Sequence, residues 1–519
     1  MALFQFQFFN GELPSQTLLL SFILVITLSL LFKLLSSFFY GVSRTKLNLP
    51  PGPPKLPIIG NLHQLGNLPH ISLHHLSNKF GPIFHLKLGE IPTVVISSAK
   101  IAKEAFKNHD IALAGRPQLF PAKHLIYNCT DITFSPYGPY WRQVRKICIL
   151  ELLSAKRVQS FSFIREEEVA KLVHRVAQGY PGTINLSKNL RIFANNVVCR
   201  AAFGRCFTQG GVCREEDVHE MLAESQVLLG GFNLGDYFPS MEWIHTLTGS
   251  KERIVRLFQR FDQFFNQMIE EHLNTTTRVR ADRKDLIDVL LDLQKSGSLE
   301  MPLTTDNIKA IIMDMFAAGT DTTFGTLVWG MTELLFNPKV MQKAQLEIRR
   351  VVGERGTVLD SDLTQLHYLK SVTKEILRLH PPVPLSVPRE STEVINIDRY
   401  RIPAKTRFFV NLWAIARDPD TWESPEAFKP ERFIGSSIDF RGHDFEFIPF
   451  GAGRRICPAI TFGSTTIELA LAQLLHSFDW ELPSGVTAKD LDLTEVFGIS
   501  MHRSSDLIVV AKPHFPSMI

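Results

Sequence analysis

The sequence predicts a mainly α-helical protein with small β-sheets, in which one large domain follows an N-terminal transmembrane helix. Three observations support this fold class. A stretch of twenty residues without a charge, 13–32, lies near the start of the 519-residue chain. A proline-rich segment follows, and after residue 60 no linker rich in Pro, Gly or Ser divides the rest. Long stretches with helical spacing of apolar residues, such as 305–336, separate short β-like runs near both ends of this body.

The uncharged stretch Leu13–Phe32 is long enough to cross the hydrocarbon layer, which takes about 20 apolar residues. Residues 1–32 contain neither Lys nor Arg and no small-residue cleavage site follows them, which argues against a cleaved signal peptide. Because the first basic residues, Lys33 and Arg44, lie on the C-terminal side, the positive-inside rule places the body in the cytosol. We expect residues 1–48 to form an uncleaved single-pass anchor with its flank.

Residues 49–60 predict a stiff, extended hinge, because each proline fixes φ and disfavours helix in the residue before it. The hinge contains Pro50, Pro51, Pro53, Pro54 and Pro57. Such a connector would hold the folded body at a set angle to the bilayer. Residues 61–519 then form one large helical domain, with short β-like runs such as 83–88 and 506–511.

The composition excludes several classes of protein. Apolar residues make up 45% and charged residues 21% of the chain, close to globular averages, which excludes disorder, collagen and coiled coil. The net charge of +4 is too small and too diluted to indicate nucleic-acid binding. The 39 Phe against 8 Tyr and 6 Trp fit a dry core or an apolar ligand cavity, of which a core is the commoner reason.

The strongest chemical signal is the stretch FGAGRRICP, from Phe450 to Pro458. Nearby arginines favour the thiolate form of Cys457, and the thiolate is the form that binds a metal. Gly451 and Gly453 permit close approaches that a Cβ would block, so that a flat cofactor can lie against the loop. A dinucleotide-binding loop is excluded because no third glycine follows. An inert buried cysteine is the alternative on these residues alone.

This loop resembles the haem-binding loop of the cytochrome P450 superfamily, F-x-x-G-x-R-x-C-x-G, with Phe450, Gly453, Arg455 and Cys457 in the matching positions. The resemblance implies that Cys457 is the axial ligand of the haem iron and that the other three bind the cofactor. One position departs from the pattern, because Ala459 stands where the family has its last glycine. We expect its methyl group to alter packing around the haem without removing haem binding.

The segment 317–323, AAGTDTT, lies inside the long predicted helix. Gly319 costs that helix about 1 kcal/mol relative to Ala, and Thr hydroxyls can bond back to carbonyls and bend it. Taken alone, such a segment is more often structural than catalytic. The P450 resemblance implies that Asp321 and Thr322 are the acid–alcohol pair that relays protons for dioxygen activation, with Ala318 and Gly319 beside the oxygen pocket.

Glu375 and Arg378 are three residues apart, so they share one face of a helix and can form an ion pair. On their own they would be one of many surface pairs, which contribute little to stability. They resemble the family's E-x-x-R element, and Arg432 lies in the matching downstream P-E-R-F. The resemblance implies a buried three-way network with a structural role, which the removal of one partner would strongly destabilise.

Trp141 and Arg145 lie four residues apart on one helical face, and an arginine fork suits a carboxylate. They resemble the family's W-x-x-x-R pattern, which implies that both bind the haem propionates. Arg389 and Arg455 resemble further propionate ligands.

The resemblance also implies which residues form the walls of the substrate pocket. These walls are Phe120, Leu125, Ala317, Ala318, Val383, Leu385, Val387, Phe497 and Ile499. Because almost nothing in this set can bind a charged group, we expect a hydrocarbon-like substrate. Similarity to plant terpene-oxidising members favours a terpenoid.

The matching segments run from residue 50 to about 500 in family order and look most like plant microsomal members. The resemblance implies a haem-thiolate monooxygenase that inserts one oxygen atom from O2 into an apolar small molecule. No Rossmann or flavin motif is present, so electrons from NADPH must come through a partner NADPH–cytochrome P450 reductase. Arg142, Arg145 and Lys146 are expected to contribute to its docking face. The implied location is the endoplasmic reticulum membrane, in contact with lipid, with the catalytic domain facing the cytosol.

Two alternatives stay open at this point. One is a haem-thiolate isomerase or dehydratase that works without O2 and reductase, which the pair Asp321 and Thr322 disfavours because such an enzyme needs no proton relay. The other is a non-catalytic haem-binding membrane protein, which only Ala459 supports.

Overall fold

The computed structural model describes residues 48–206, 215–274 and 284–515, together with isolated helical positions between Leu20 and Leu31. The predicted transmembrane helix, residues 13–32, therefore lies largely outside the described residues. Among the residues that are described, no helix combines the length and the apolar character that a membrane crossing requires.

The described part of the chain is mainly helical, as predicted. Its α-helices are α1 (Pro69–Phe80), α2 (Ala99–Asn108), α3 (Phe120–Leu125), α4 (Pro139–Ile147), α5 (Ala155–Ser160), α6 (Ser162–Ala177), α7 (Leu186–Phe203), α8 (Glu215–Gly230), α9 (Leu234–Tyr237), α10 (Ile244–Leu247), α11 (Ser250–Asn274), α12 (Leu286–Ser296), α13 (Thr305–Phe336), α14 (Pro338–Val352), α15 (His367–Leu379), α16 (Leu412–Ile415) and α17 (Ile460–Ser477).

The strands are short and form small sheets, which also agrees with the prediction. They are β1 (Ile83–Leu88), β2 (Ile91–Ile96), β3 (Ile184–Asn185), β4 (Arg389–Glu390), β5 (Ile395–Ile397), β6 (Tyr400–Ile402), β7 (Arg407–Val410), β8 (Phe478–Glu481), β9 (Glu495–Val496), β10 (His502–Arg503) and β11 (Ile508–Pro513). The largest described sheet has the order β1-β2-β7-β4. β1 pairs antiparallel with β2, whereas β2 pairs parallel with β7, with Val94 opposite Phe408. The helical body forms the long crossover that this parallel pair needs.

Helix α13 is the central element of the domain and packs against α7 and α17. It begins at a capping box, in which the Thr304 hydroxyl accepts the N–H of Asn307 at 3.2 Å and the Asn307 side chain accepts the N–H of Thr304 at 3.0 Å. It ends before Pro338, because a proline disfavours helix in the residue that precedes it. Apolar residues occur all round α13, which is typical of a buried helix. The helix thereby carries the segment 317–323 into the interior.

The three predicted network residues meet beside α15. Arg378 donates from Nε and Nη2 to the two carboxylate oxygens of Glu375 at 2.8 and 2.9 Å, and Arg432 Nε donates to Glu375 Oε1 at 3.1 Å. Glu375 and Arg378 are completely buried. The other N–H groups of Arg378 donate to the backbone carbonyls of Ala416, Pro425 and Ala427. The charge of Arg378 is thus paired with that of Glu375, and all of its N–H groups have acceptors within the chain.

Candidate active site

A cavity lies between α13 and the loop that carries Cys457. Most of the predicted cofactor and substrate residues line it, namely Trp141, Arg145, Ala317, Ala318, Thr322, Val383, Val387, Arg389, Phe450, Arg455, Cys457 and Ile499. Residues from distant parts of the sequence therefore meet at one site.

Cys457 faces this cavity from a tightly held loop, in which its backbone N–H donates to the Phe450 carbonyl at 2.9 Å. Burial raises the pKa of the Cys457 thiol, while the backbone N–H of Ala459 and the charge of Arg145 lower it. The effect of burial is the larger one, so the pKa of Cys457 is raised overall. Arg145 lowers this pKa, as predicted, but by less than burial raises it. A bound metal cation would reverse this balance, because coordination deprotonates a thiol.

Ala459, which stands in place of the family's last glycine, fits the loop without strain. Its φ of −98° and ψ of 19° lie on the right-handed side, where no glycine is needed. Its N–H also stabilises the charged form of Cys457. The departure from the family pattern is therefore compatible with the loop.

Asp110 holds the other end of the loop, although no sequence motif pointed to it. Its two carboxylate oxygens each accept the backbone N–H of Arg454 at 3.1 Å, and Arg389 Nη1 lies 3.9 Å from Oδ1. Gly453 has a φ of +69°, and a Cβ there would lie 2.2 Å from Asp110 Oδ1. Gly453 therefore faces Asp110 and lies outside the cavity lining, so the structure accounts for this glycine by space and backbone conformation.

Four arginines line the cavity, and burial lowers the pKa of each. They are Arg116, Arg145, Arg389 and Arg455, of which Arg116 was not predicted as a site residue. The pKa is lowered to about 10 in Arg389 and to about 9 in Arg455, and in Arg455 the charges of Arg389 and Arg145 add to the effect of burial. Because buried charge is costly unless paired, this wall favours a ligand with several negative groups.

Backbone carbonyls from the segments before α3 and before α4 hold Arg455 and Trp141. Arg455 donates to the carbonyls of Ala114, Ile132 and Ser135 at 2.9, 3.0 and 2.6 Å, and its guanidinium lies 4.2 Å from the centre of the Trp141 ring. The Trp141 indole N–H also donates to Ile132, at 2.9 Å. An indole has one N–H donor, and in Trp141 the Ile132 carbonyl accepts it. Trp141 therefore contacts Arg455 and the backbone, and its N–H is not available to a carboxylate.

The predicted relay residues face different directions. Thr322 lines the cavity, and its hydroxyl donates to the Ala318 carbonyl at 2.7 Å. Asp321 lies outside the cavity lining, accepts a hydrogen bond from the Ser500 hydroxyl and lies 3.8 Å from Nδ1 of His502. Burial raises the pKa of Asp321, whereas His502 and then Arg191 lower it. The structure thus brings Thr322 to the cavity and connects Asp321 to the chain segment before β10.

The predicted substrate walls divide into three groups. Ala317, Ala318, Val383, Val387 and Ile499 line the main cavity. Leu385 and Phe497 line a second cavity, which shares Val383 and Ile499 with the first.

Phe120 and Leu125 line neither cavity, which corrects their predicted placement. Both belong to the short helix α3, which packs against α11. The Phe120 ring stacks on His245 at 4.0 Å, and Leu125 is fully buried. The side chains of Phe120 and Leu125, which were expected to contact a substrate, are therefore used in packing between helices.

Asp314 is an acidic residue of the cavity to which no sequence motif pointed. Its Oδ2 accepts the N–H groups of Ile132 and Thr133 at 2.9 and 3.0 Å. Burial raises the pKa of Asp314 well above its usual range, and the nearby charge of Asp131 raises it further. Burial therefore disfavours the charged form of this acid, and backbone N–H groups already occupy one of its oxygens.

The donor set fits an iron porphyrin that takes a thiolate ligand. A cysteine sulfur faces the cavity, guanidinium groups in excess of acids suit two propionates, and α13 closes the opposite side with small and apolar residues. Such a haem, when bound, supplies the oxidising power, because the thiolate favours O–O cleavage. The fold and the site thus define a haem-thiolate protein.

The chain belongs to the cytochrome P450 family, whose model matches residues 50–510. It is 66% identical over 489 residues to cytochrome P450 71AP13 of Prunus mume, covering 94% of this chain and 95% of the relative. It is 48% identical over 474 residues to the premnaspirodiene oxygenase of Hyoscyamus muticus, covering 90% and 93%. A zebra fish cytochrome P450 solved with abiraterone superposes with a TM-score of 0.74 at 26% identity, over 87% of this chain and 100% of that one.

Membership of this family makes the protein a cytochrome P450 monooxygenase. The family uses haem iron, O2 and NADPH-derived electrons that a reductase delivers. The relatives therefore favour the monooxygenase over the isomerase and over the non-catalytic haem protein.

Proposed function

We propose that this monooxygenase inserts one oxygen atom into a terpenoid hydrocarbon. The observation that carries the substrate class is the apolar wall formed by Ala317, Val383, Val387 and Ile499. Asp314 does not oppose this proposal, because its Oδ2 already accepts the N–H groups of Ile132 and Thr133 and burial disfavours its charged form. The similarity to an enzyme named premnaspirodiene oxygenase supports a hydrocarbon substrate as well.

The second cavity extends the space that a substrate can use. It is lined by Leu385 and Phe497 and shares Val383 and Ile499 with the main cavity. A hydrocarbon skeleton that occupies both spaces would bury more apolar surface than one confined to the first. We therefore propose that Val383 and Ile499, between the two spaces, orient the substrate toward the haem.

The cofactor roles follow from the positions of the side chains. We propose that Cys457 would supply the thiolate ligand of the haem iron, that Arg145, Arg389 and Arg455 would neutralise the propionates, and that Phe450 would lie beside the thiolate. These residues bind and orient the haem, while the apolar walls exclude water from it.

We also propose that residues 1–48 anchor the protein in the endoplasmic reticulum membrane and that an NADPH–cytochrome P450 reductase docks on the cytosolic domain. Arg142 and Lys146 are exposed on α4 and suit an acidic partner surface. Arg145 lines the cavity instead, so the docking face does not include it. Charge reversal at Arg142 and Lys146 is expected to weaken reductase binding and leave the haem spectrum unchanged.

The first test is a reduced-plus-carbon-monoxide difference spectrum of membranes that carry the protein. A strongly red-shifted Soret band that disappears in Cys457→Ser is expected, because only a thiolate ligand produces that shift. A band that survives in Cys457→Ser would overturn the ligand assignment.

The second test supplies reductase, NADPH and premnaspirodiene, followed by a panel of other terpene hydrocarbons. Oxygenated product that requires both NADPH and O2 is expected. Turnover of polar aromatic compounds in preference to every hydrocarbon would overturn the substrate class and leave the reaction class intact.

A further inference from the structure

We propose that Ser500 is a proton-relay residue that connects Asp321 to the cavity, and that His502 connects Asp321 to solvent. Insertion of one oxygen atom of O2, with reduction of the other to water, consumes two electrons and two protons. NADPH supplies the electrons through the reductase, and the protons must cross the protein. The proposal rests on the monooxygenase reaction and not on the identity of the substrate.

The geometry of α13 creates the need for a connecting residue. Successive residues of an α-helix are turned by about 100°, so Asp321 and Thr322 cannot face the same way. Thr322 lines the cavity, whereas Asp321 faces the chain that leads into β10. Gly325 lets this chain approach, since a Cβ there would lie 3.2 Å from the Met501 carbonyl oxygen.

Ser500 bridges Asp321 and the cavity. It is 3% exposed and lines the cavity together with Gln226. Its hydroxyl has two acceptors, a carboxylate oxygen of Asp321 and Oε1 of Gln226, the latter at 3.4 Å. A hydroxyl donates one hydrogen and accepts from other donors. Ser500 can therefore donate to an ionised Asp321, or accept from a protonated Asp321 while its own hydrogen turns toward Gln226 and the cavity.

When the Ser500 hydroxyl hydrogen turns from Asp321 toward the cavity, a proton can pass along this path without movement of a heavy atom. The protonated Asp321 gives its hydrogen to the Ser500 oxygen, and Ser500 gives its own hydrogen to an acceptor in the cavity. Asp321 is then ionised, and the Ser500 hydroxyl returns to donate to it. One proton has left the carboxyl group and one has entered the cavity, so Asp321 must be reprotonated from outside.

His502 is placed for that step. Its Nδ1 lies 3.8 Å from Asp321 Oδ2 and has no hydrogen-bond partner among the described residues, while its side chain is 24% exposed. The ring thus extends from the carboxylate to the surface, and one water or a small rotation would complete the contact. Arg191, whose guanidinium lies over the Phe324 ring at 4.5 Å, is a cation that lowers the pKa of Asp321. Burial favours the protonated form of Asp321, whereas Arg191 and a protonated His502 favour the ionised form, which suits a group that gains and loses a proton.

The activity test compares Ser500→Ala, Ser500→Thr and the control Ser504→Ala. The Ser504 hydroxyl also donates to an aspartate, Asp492 at 2.8 Å, but on the exposed side of the domain. With reductase, NADPH and premnaspirodiene, Ser500→Ala is expected to lower product formed per NADPH by about tenfold or more and to release peroxide. Ser500→Thr should restore coupling, because it restores a hydroxyl. Ser504→Ala should leave coupling unchanged.

A second measurement separates proton delivery from a defect of fold or haem. Product formation driven by an organic hydroperoxide needs neither reductase nor protons from the relay, so Ser500→Ala is expected to retain it. The reduced-plus-carbon-monoxide spectrum should also be retained. Loss of hydroperoxide-driven turnover or of the spectrum would mean that Ser500 is structural and would overturn the proposal.

Infrared spectroscopy tests the same contact without any substrate. In pH-difference spectra of the ferric holoenzyme, a protonated carboxyl band that is lost in Asp321→Asn is expected to move to higher frequency in Ser500→Ala, because the carboxyl group loses a hydrogen bond. Ser504→Ala should not move it. An Asp321 band that Ser500→Ala leaves in place would overturn the proposal, even if no terpene proves to be a substrate.

His502→Phe tests the entry of protons from solvent. This variant keeps an aromatic ring and removes both nitrogens, so coupling is expected to fall while hydroperoxide-driven turnover is retained. Unchanged coupling in His502→Phe would overturn the assignment of His502 and leave that of Ser500 to its own tests.

Discussion

Arg378 and Arg145 lie in the same domain, but the described part of the chain provides partners for the charge of Arg378 and none for that of Arg145. Every N–H group of Arg378 has an acceptor, either in Glu375 or in a backbone carbonyl. Arg145 is half-buried against the cavity, and its guanidinium makes no hydrogen bond or ion pair with any described residue. Its neighbours Arg389 and Arg455 add further positive charge.

This difference distinguishes Arg378, which belongs to the structural scaffold, from Arg145, which belongs to the binding site. Burying an ion is offset only when an opposite charge and enough hydrogen bonds accompany it. The chain supplies both for Arg378, so that region needs no ligand. It supplies neither for the guanidinium of Arg145, which suits a bound group that brings negative charge.

The largest expected effect is in the balanced region. Glu375→Ala should lower the free energy of unfolding by about 3–5 kcal/mol, because it leaves Arg378 and Arg432 without their shared carboxylate. Urea unfolding and the yield of folded holoprotein measure this. Glu431→Ala is the control, because Glu431 is an exposed partner of Lys343 at 2.6 Å and should contribute at most about 1 kcal/mol. Equal losses of unfolding free energy in Glu375→Ala and Glu431→Ala would contradict the structural role assigned to the buried network.

Removing the unbalanced charge should have a different signature. Arg145→Met is expected to weaken haem binding by about 10–100-fold, as loss of a group outside the metal's own ligands commonly does, and to leave the stability of the haem-free protein unchanged. Haem titration and urea unfolding of the apoprotein measure the two quantities separately. Arg145→Lys should recover part of the affinity. A drop in apoprotein stability as large as that of Glu375→Ala would contradict the distinction.

Two positions of the cysteine loop sharpen the comparison on a smaller scale. Gly453→Ala should destabilise the holoprotein by about 1–3 kcal/mol, because φ is +69° and the new Cβ would meet Asp110. Ala459→Gly should change stability by less than about 1 kcal/mol, because the backbone there suits either residue. Thermal unfolding followed at the Soret band measures both, and the reverse order of effects would refute this account of the loop.

The last expected effect is a pH dependence caused by Asp131. Burial raises the pKa of Asp131 to about 6, above the value near 4 of an unfolded aspartate. Between these values the folded state binds more protons than the unfolded state, so stability should fall as pH rises from about 4 to about 6. Asp131→Asn is expected to reduce that slope in apoprotein unfolding measured across the interval. An unchanged slope would assign the dependence to other acids.

The local signals in the sequence predicted much of this protein. Strand β1 occupies the predicted residues 83–88 and helix α13 the predicted 305–336. Cys457, Arg145 and Val383 all meet at one cavity, as the family motifs implied. These predictions succeed because apolar periodicity, capping residues and a motif within ten residues depend on neighbours along the chain.

What the folded chain adds comes from contacts between distant residues. Asp110 reaches the loop at Arg454, Ser500 reaches Asp321, and Phe120 turns to His245 instead of the cavity. No local pattern contains these pairings, because each depends on how the helices pack and on which side chain fills the space between them. The motifs of the chain, through their resemblance to the cytochrome P450 family, were enough to identify a haem-thiolate monooxygenase. Which of its buried charges are balanced, and how Asp321 is connected to the cavity, depends on packing in three dimensions, because charge and hydrogen-bond balance are properties of neighbours in space.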